Sequence, residues 1–326
     1  MRKYLLHVLI ISIFSLVLFT CPFVSAQSHQ LANEYWNKAI DLKKQGKYLE
    51  AAKMYEKCVE AEKASPVPRM EKLADALNDA GYCYYLVGQY DKALKYFEEA
   101  LAINKKLGVV DQIATQLNNI GLVYDSRGQY DKALKYYEEA LATFKKLGQE
   151  DKVATLLNNI GMVYHDWGQY DKALKYYEEA LAIARKLGQE ASVALCLNNI
   201  GMVYNDWGQY DKAIKNYEEA LVTFKKLGQE GNVATSLNNI GGVYNAWGQY
   251  DKAIKYYEEA LAIAEKFGEK GSVAAYLNNI GNVYHNWGQY DKAIKYYEEA
   301  LAINKRLGKE ASVALCLNNI GMVYND

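Results

Sequence analysis

The sequence predicts an all-α solenoid of antiparallel helix pairs, and three observations carry that prediction. The 326-residue chain repeats itself every 40 residues, with turn glycines at Gly88, Gly128, Gly168, Gly208, Gly248 and Gly288 and a more divergent copy at Gly46. A period of this size marks an array of supersecondary units, each too small to bury its own apolar face and stabilised by stacking on its neighbours. Each period also holds two stretches of apolar residues at helical spacing, one on either side of a Gly-Gln-Tyr turn. Finally, glycine and alanine recur at the rows where the two helices of a pair would meet.

The first 26 residues are a different kind of segment. Arg2 and Lys3 precede an apolar run over residues 4–19, and Pro22 and Val24-Ser25-Ala26 stand before polar Gln27. A charged start, an apolar middle and small residues before a polar boundary is the order of a secretory leader. Residues 1–26 are therefore read as a signal peptide, and the mature chain as exported, periplasmic or secreted. Left uncleaved, residues 4–26 would instead anchor the chain, since the apolar stretch approaches the ~20 residues that cross a bilayer. Cys21 is a poor lipid-attachment site, because Phe19 and Thr20 stand where small residues are wanted. Cleavage removes Arg2 and Lys3 and no acid, moving the net charge from −1 to −3.

Residues 27–68 read as a divergent capping repeat and a joint. The divergent copy covers residues 32–64, with Gly46-Lys47-Tyr48 in its turn and Ala51, Ala52, Tyr55 and Cys58 on its second helix. Ser65-Pro66-Val67-Pro68 interrupts the helical pattern, because proline lacks the amide donor and restricts the residue before it. Residues 69–326 are the tandem repeats, the last one incomplete. In the unit around Gly128, Leu117, Ile120, Gly121 and Tyr124 share one face of the first helix, and Ala133, Tyr137, Ala140, Leu141, Phe144 and Leu147 share one face of the second. Asp131 near the start of that second helix, Lys145 and Lys146 near its end, and Gly148 just beyond suit the helix dipole and a left-handed glycine cap.

A mid-helix glycine costs about 1 kcal/mol relative to alanine, yet Gly81, Gly121, Gly161, Gly201, Gly241, Gly281 and Gly321 occupy one row. Close approach of the partner helix offsets that cost, with the Ala133 and Ala140 rows as low ridges and the Tyr124 row expected to fill the space beside them. Thirty tyrosines against seven phenylalanines fall mostly in such rows, which points to packing of amphipathic rings. The near-neutral chain has no Lys/Arg run free of matching acids, so a nucleic-acid partner is not expected.

The rows Leu117, Gly121, Tyr124, Ala133, Tyr137 and Ala140 resemble the tetratricopeptide repeat, whose basic unit is ~34 residues. Six extra residues per unit, the Leu-Asn-Asn-Ile run and the Lys-Lys-Leu-Gly ending are similar to the longer-repeat branch of kinesin light chain and related bacterial proteins. The proline that closes many family repeats is absent, so the helices should run longer. The resemblance implies a right-handed superhelix whose first helices line a concave groove that binds extended peptides or partner helices. On that implication the groove is lined by Asn118, Asn158, Asn198, Asn238, Asn278 and Asn318, with Met162, His165, Met202, Asn205, Asn245, Asn282 and His285 beside them, and a ladder of amides engages a peptide backbone. The adjacent Asn119, Asn159, Asn199, Asn239, Asn279 and Asn319 row is expected to bond neighbouring helices. Asparagines stand where a carboxylate clamp needs lysines, so that variant of the family is not expected. Trp167, Trp207, Trp247 and Trp287 precede the turn glycines and are expected to stack on the following unit's helices, with a docking stripe as the alternative.

No residue set suggests chemistry. His7, His29, His165 and His285 have no metal-ligand spacing, and there is no phosphate loop or nucleophile elbow, so no cofactor, metal, small-molecule substrate or enzymatic activity is expected. Glu138-Glu139 and their copies read as a solvated face. Cys196 and Cys316 are equivalent copies three units apart and out of mutual reach. Cys58 and Cys83 lie on adjacent helices, where an exported chain could form a disulfide or keep two small buried thiols. The last repeat stops at Asn325-Asp326 after one helix, which reads as a fragment or a truncated gene product, or as an uncapped end open to self-association. The function expected is a non-enzymatic scaffold for a protein or peptide. The alternative is the sensory module of a larger signalling or protease protein whose catalytic domain lies beyond residue 326.

Overall fold

A computed structural model describes residues 24–325, and among them the chain is helix and short turn with no strand. The helices are α1 (residues 24–44), α2 (Tyr48–Ala64), α3 (Met70–Leu86), α4 (Tyr90–Leu107), α5 (Val110–Ser126), α6 (Tyr130–Leu147), α7 (Glu150–Asp166), α8 (Tyr170–Lys186), α9 (Glu190–Asp206), α10 (Tyr210–Lys226), α11 (Glu230–Ala246), α12 (Tyr250–Lys266), α13 (Lys270–Asn286), α14 (Tyr290–Arg306) and α15 (Glu310–Val323). Odd-numbered helices are the first of each repeat and even-numbered helices the second. The chain divides into two units, Met1–Asn159 and Ile160–Asp326, with the boundary inside α7. Of the leader 1–26 and the alternative anchor 4–26, only residues 24–26 are described; they are helical, and Ser25 is buried with its hydroxyl 2.9 Å from that of Ser65. His7 and Cys21 lie outside the described residues. No described helix is long and apolar enough to cross a membrane.

The extra length of each repeat goes into its helices. From α2 onward all but the last are 17 or 18 residues long, joined by two or three residues within the tandem repeats. Glycine makes those connections possible. Gly128 closes the turn within its repeat at φ 67° and Gly148 the turn between repeats at φ 68°, a left-handed conformation that costs other residues more. The amide of Gln129 returns to the Tyr124 carbonyl at 2.9 Å, so the last turn of α5 leaves few carbonyls unpaired. Asp131 sits in the first turn of α6, with Lys145 and Lys146 in its last.

Within each pair, glycine lets the second helix press a ring onto the first. A Cβ added at Gly121 would lie 2.6 Å from the Tyr137 ring, and one at Gly281 2.6 Å from Tyr297. The side chain that occupies the glycine gap is thus the second helix's tyrosine (Tyr137, Tyr177, Tyr217, Tyr257, Tyr297), with Phe97 in the same place against Gly81. This corrects the expectation for the Tyr124 row. Tyr124 stacks instead on Tyr136 of the second helix at 5.5 Å.

At the proline joint an ion pair on a buried carboxylate adds to the packing of α2 on α3. Glu62 is fully buried at the end of α2, and Arg69, at the start of α3, donates from Nε to its Oε1 at 2.9 Å and from its backbone amide to Oε2 at 3.2 Å. The same guanidinium reaches the His29 carbonyl and Asn33 of α1, so one side chain ties three elements. Cys58 and Cys83 are free buried thiols, and no disulfide joins them. The physical reason is direction: α2 and α3 run antiparallel, so Cys58 packs with Leu73 and Ala76 at the start of α3. Cys83, near its end, packs with Ala51 and Tyr55 at the start of α2.

Candidate functional site

The first helices of successive repeats touch one another, α3 against α5 in the first unit and α9 against α11, α11 against α13 and α13 against α15 in the second. Each unit therefore presents a continuous wall of first helices. In the first unit, Asn119 donates from Nδ2 to Asn78 Oδ1 at 2.9 Å, and Asn159 to Asn118 Oδ1 at 3.0 Å. In the second, Asn279 donates to Asn238 at 2.8 Å and Asn319 to Asn278 at 3.0 Å. The Asn119 row thus bonds neighbouring helices through the Asn118 row, whose oxygens accept the bond. The amides supposed to face a ligand are also braces. Asn118 and Asn158 are half-buried, Asn278 is buried, and Asn318 is exposed on α15. Asn198 exchanges hydrogen bonds with Ser236 at 3.3–3.4 Å.

What remains for a partner lies one turn further along each helix. On the second unit, Met162, Met202, Gly242, Asn282 and Met322 form one row, His165, Asn205, Asn245 and His285 a second, and Asp166, Asp206, Ala246 and Asn286 a third. Met162 is 37% exposed. His165 bridges Asp166 at 3.1 Å through Nδ1 and Asp206 of the next repeat at 2.8 Å through Nε2. Asn286 donates to Asn245 at 3.2 Å, and Asn282 accepts from the Tyr297 hydroxyl at 2.7 Å. These three rows change from repeat to repeat while the bracing rows around them stay asparagine, so this surface is polar, sulfur-bearing and different at every step.

Three of the tryptophans pack on the preceding repeat, not on the following one as the sequence suggested. Trp207, Trp247 and Trp287 lie 5.8–5.9 Å from Tyr170, Tyr210 and Tyr250, the first residues of the previous second helices. The direction follows from geometry, because the end of a first helix lies beside the turn of the repeat already laid down. Arg127 holds the equivalent place in the first unit, over Tyr90 and paired with Asp91. Among the described residues no cluster of histidine, cysteine and carboxylate could hold a metal ion.

A sequence profile described as the tetratricopeptide repeat matches residues 30–106, 111–186, 192–266 and 272–326. The chain belongs to the tetratricopeptide repeat family. Among solved structures, this tetratricopeptide array is similar to BtubC (BKLC) from P. vanneervenii, at 26% identity and a TM-score of 0.60 over 67% of this chain and 92% of that one. It also resembles the nearly identical repeats of a putative kinesin light chain from Podosopora anserina, at 20% identity and a TM-score of 0.50 over 63% of this chain and 97% of that one. A third similar structure is the Rap conjugation gene regulator of plasmid pLS20 in complex with the Phr* peptide, at 19% identity and a TM-score of 0.60 over 86% of this chain and 75% of that one. No curated protein sequence matches the array.

One departure from the repeat pattern escaped the sequence reading. The second helices carry Tyr96, Tyr136, Tyr176, Tyr256 and Tyr296 in one row, and Asn216 interrupts it. The signal was present as a single break in an otherwise uniform column. Its consequence is a cleft, because only the packed structure shows what the missing ring covered.

Proposed function

We propose that the chain is a non-enzymatic interaction scaffold whose first-helix face docks an extended peptide or protein segment. One observation carries the reading: on near-identical repeats, the accessible rows Met162/Met202/Gly242/Asn282 and His165/Asn205/Asn245/His285 vary, while the Asn158 and Asn159 bracing rows and the Gly161 row of the same helices do not. A surface that only covered a core would need no such variation. Methionine adapts to varied apolar side chains, and amides and imidazoles offer donors and acceptors to a peptide backbone. Within the second unit Asn198, Asn238 and Asn318 supply the floor, and their remaining lone pairs and amide hydrogens can still meet a ligand. The peptide complex of the similar Rap regulator supports this reading. The leader at residues 1–26 would place the scaffold outside the cytoplasm, where its partner is then also to be sought.

The test is selection of twelve-residue peptides from a displayed library on the purified chain, followed by affinity measurement on Met162→Ala/Met202→Ala/Asn245→Ala. These side chains are away from the Asn119 braces, so the variant should fold. Binding of the selected peptides should weaken at least tenfold, which corresponds to about 1.4 kcal/mol. Unchanged affinity would remove the first-helix face from the account.

A further inference from the structure

In five repeats a tyrosine of the second helix stacks on a tyrosine of the first: Tyr84 with Tyr96, Tyr124 with Tyr136, Tyr164 with Tyr176, Tyr244 with Tyr256 and Tyr284 with Tyr296. Their ring centroids are 5.4–5.7 Å apart and their planes within 15° of parallel. In the repeat of α9 and α10 the first ring, Tyr204, is present and the second is replaced by Asn216. The Asn216 amide turns back to the Lys212 carbonyl at 2.8 Å instead of covering Tyr204. A cleft of about 560 Å³ opens there, floored by Leu197, Ile200 and Tyr204 of α9 and walled by α8 and α10. Leu197, Ile200 and Tyr204 stand roughly 140–160° around α9 from Met202, so the cleft is separate from the Met202 side of the first-helix face.

The cleft keeps everything else that holds the ring in the other repeats. Lys212 lies 5.1 Å over Tyr204, as Lys252 lies 5.1 Å over Tyr244 and Lys292 over Tyr284. The preceding second helix also keeps its carboxylate. Tyr96 donates its hydroxyl to Glu56 at 2.7 Å, and the charges of Glu98, Glu218 and Glu258, in the equivalent place, help raise the Tyr136, Tyr256 and Tyr296 phenols. The residue in that place for the vacant slot is Glu178, which lines the cleft. A ring-shaped space, a ring to stack on and a carboxylate to accept a hydroxyl are complementary to a 4-hydroxyphenyl group. The cleft also runs along α8 from Glu178 to Arg185, seven residues or about 10 Å, which exceeds one ring and leaves room for flanking backbone.

We propose that this cleft binds a tyrosine side chain of a peptide, stacked on Tyr204 and hydrogen-bonded to Glu178. The test is an NMR titration of the full chain with N-acetyl-Gly-Tyr-Gly-amide, its phenylalanine counterpart, and p-cresol. The tyrosine peptide should bind saturably, at least fivefold more tightly than the phenylalanine peptide and than p-cresol. Asn216→Tyr, a residue that five other repeats already accommodate, should abolish binding by filling the slot. Glu178→Ala should erase the preference for tyrosine over phenylalanine, and Met162→Ala/Met202→Ala/Asn245→Ala should leave binding intact. Absence of binding, undiminished binding to Asn216→Tyr, equal binding of the two peptides, or p-cresol binding as tightly as the peptide would each overturn the proposal. Loss of binding in the Met162/Met202/Asn245 variant would assign the peptide to the first-helix face and overturn it as well.

Discussion

Glycine at the middle of a first helix is a liability in isolation and a requirement in the pair. Replacing such a glycine with alanine normally gains about 1 kcal/mol of helix propensity. Here the new methyl would sit 2.6 Å from the Tyr137 ring at Gly121, 2.8–2.9 Å from its counterparts at Gly161 and Gly201, and 3.1 Å from Tyr257 at Gly241. At Gly321 nothing lies within 4 Å. The four buried sites should therefore lose stability on substitution by alanine, with Gly121→Ala the worst and Gly241→Ala the mildest, on the scale of about 1–3 kcal/mol that overpacking costs. Gly321→Ala should instead gain up to about 1 kcal/mol. Urea midpoints of the five variants check both the order and the change of sign. Gly201→Leu should be more damaging than Gly201→Ala, since a larger side chain must displace the whole Tyr217 ring. The glycine row and its cause, a close helix approach, were legible in the sequence. Which ring filled the gap was not, because Tyr124 and Tyr137 are both tyrosines on facing helices and only side-chain direction distinguishes them.

Helices in this chain are placed by their neighbours in sequence, and the exception is the joint between α2 and α3. There Glu62 is buried with Arg69 as its partner, and the guanidinium also reaches α1. Removing the Arg69 side chain leaves the fully buried Glu62 carboxylate with the residue-69 backbone amide and His29 Nε2, 3.7 Å away, as its remaining partners. Arg69→Ala should destabilise the first unit by about 3–5 kcal/mol, while the joint change Glu62→Met/Arg69→Met should recover much of that loss. Thermal unfolding of the two variants decides between a needed ion pair and a merely permitted one. Helix existence, spacing and turn chemistry were readable because a 3.6-residue apolar period and repeated glycines state them directly. The joint's prolines were readable too, but its ion pair was not, since Glu62 and Arg69 look like two ordinary surface charges. Of the two readings left open for Cys58 and Cys83, buried thiols are what the fold holds: α2 and α3 are adjacent, and their antiparallel course separates the two cysteines along the pair. The interface rows were half legible. The amide ladder was visible as a pattern, while its mutual bonding required the 2.8–3.0 Å contacts between repeats.

As a whole molecule the protein is a run of nearest-neighbour interfaces, and its tyrosine core gives it a distinctive response to alkali. Burial pushes the Tyr257 phenol up to about 12, and burial together with Cys316 does the same for Tyr297. Burial also raises Tyr137 and Tyr217. These groups are neutral in the folded chain, and their ordinary value is 10.0. The stability they contribute is therefore complete below pH 10 and is lost as pH rises toward 12, because the unfolded chain releases protons that the folded chain keeps. Each of Tyr257 and Tyr297 should remove about 1.4 kcal/mol per pH unit in that window. Urea midpoints between pH 8 and 12, read beside tyrosinate absorbance, should stay flat to about pH 9.5 and then fall steeply; a midpoint that stays level to pH 12 would show that the phenols are not held in a dry core. The nearest-neighbour plan within each unit suits the proposed scaffold: each repeat supplies one step of a wall, and changes between steps would give specificity. Amide hydrogen exchange of the full chain, with and without a selected peptide bound, tests that claim most directly. The account predicts slowed exchange concentrated in the first helices α9, α11 and α13, with the second helices α10 and α12 unchanged; protection confined to α10 and α12, or to the turns between repeats, would contradict it.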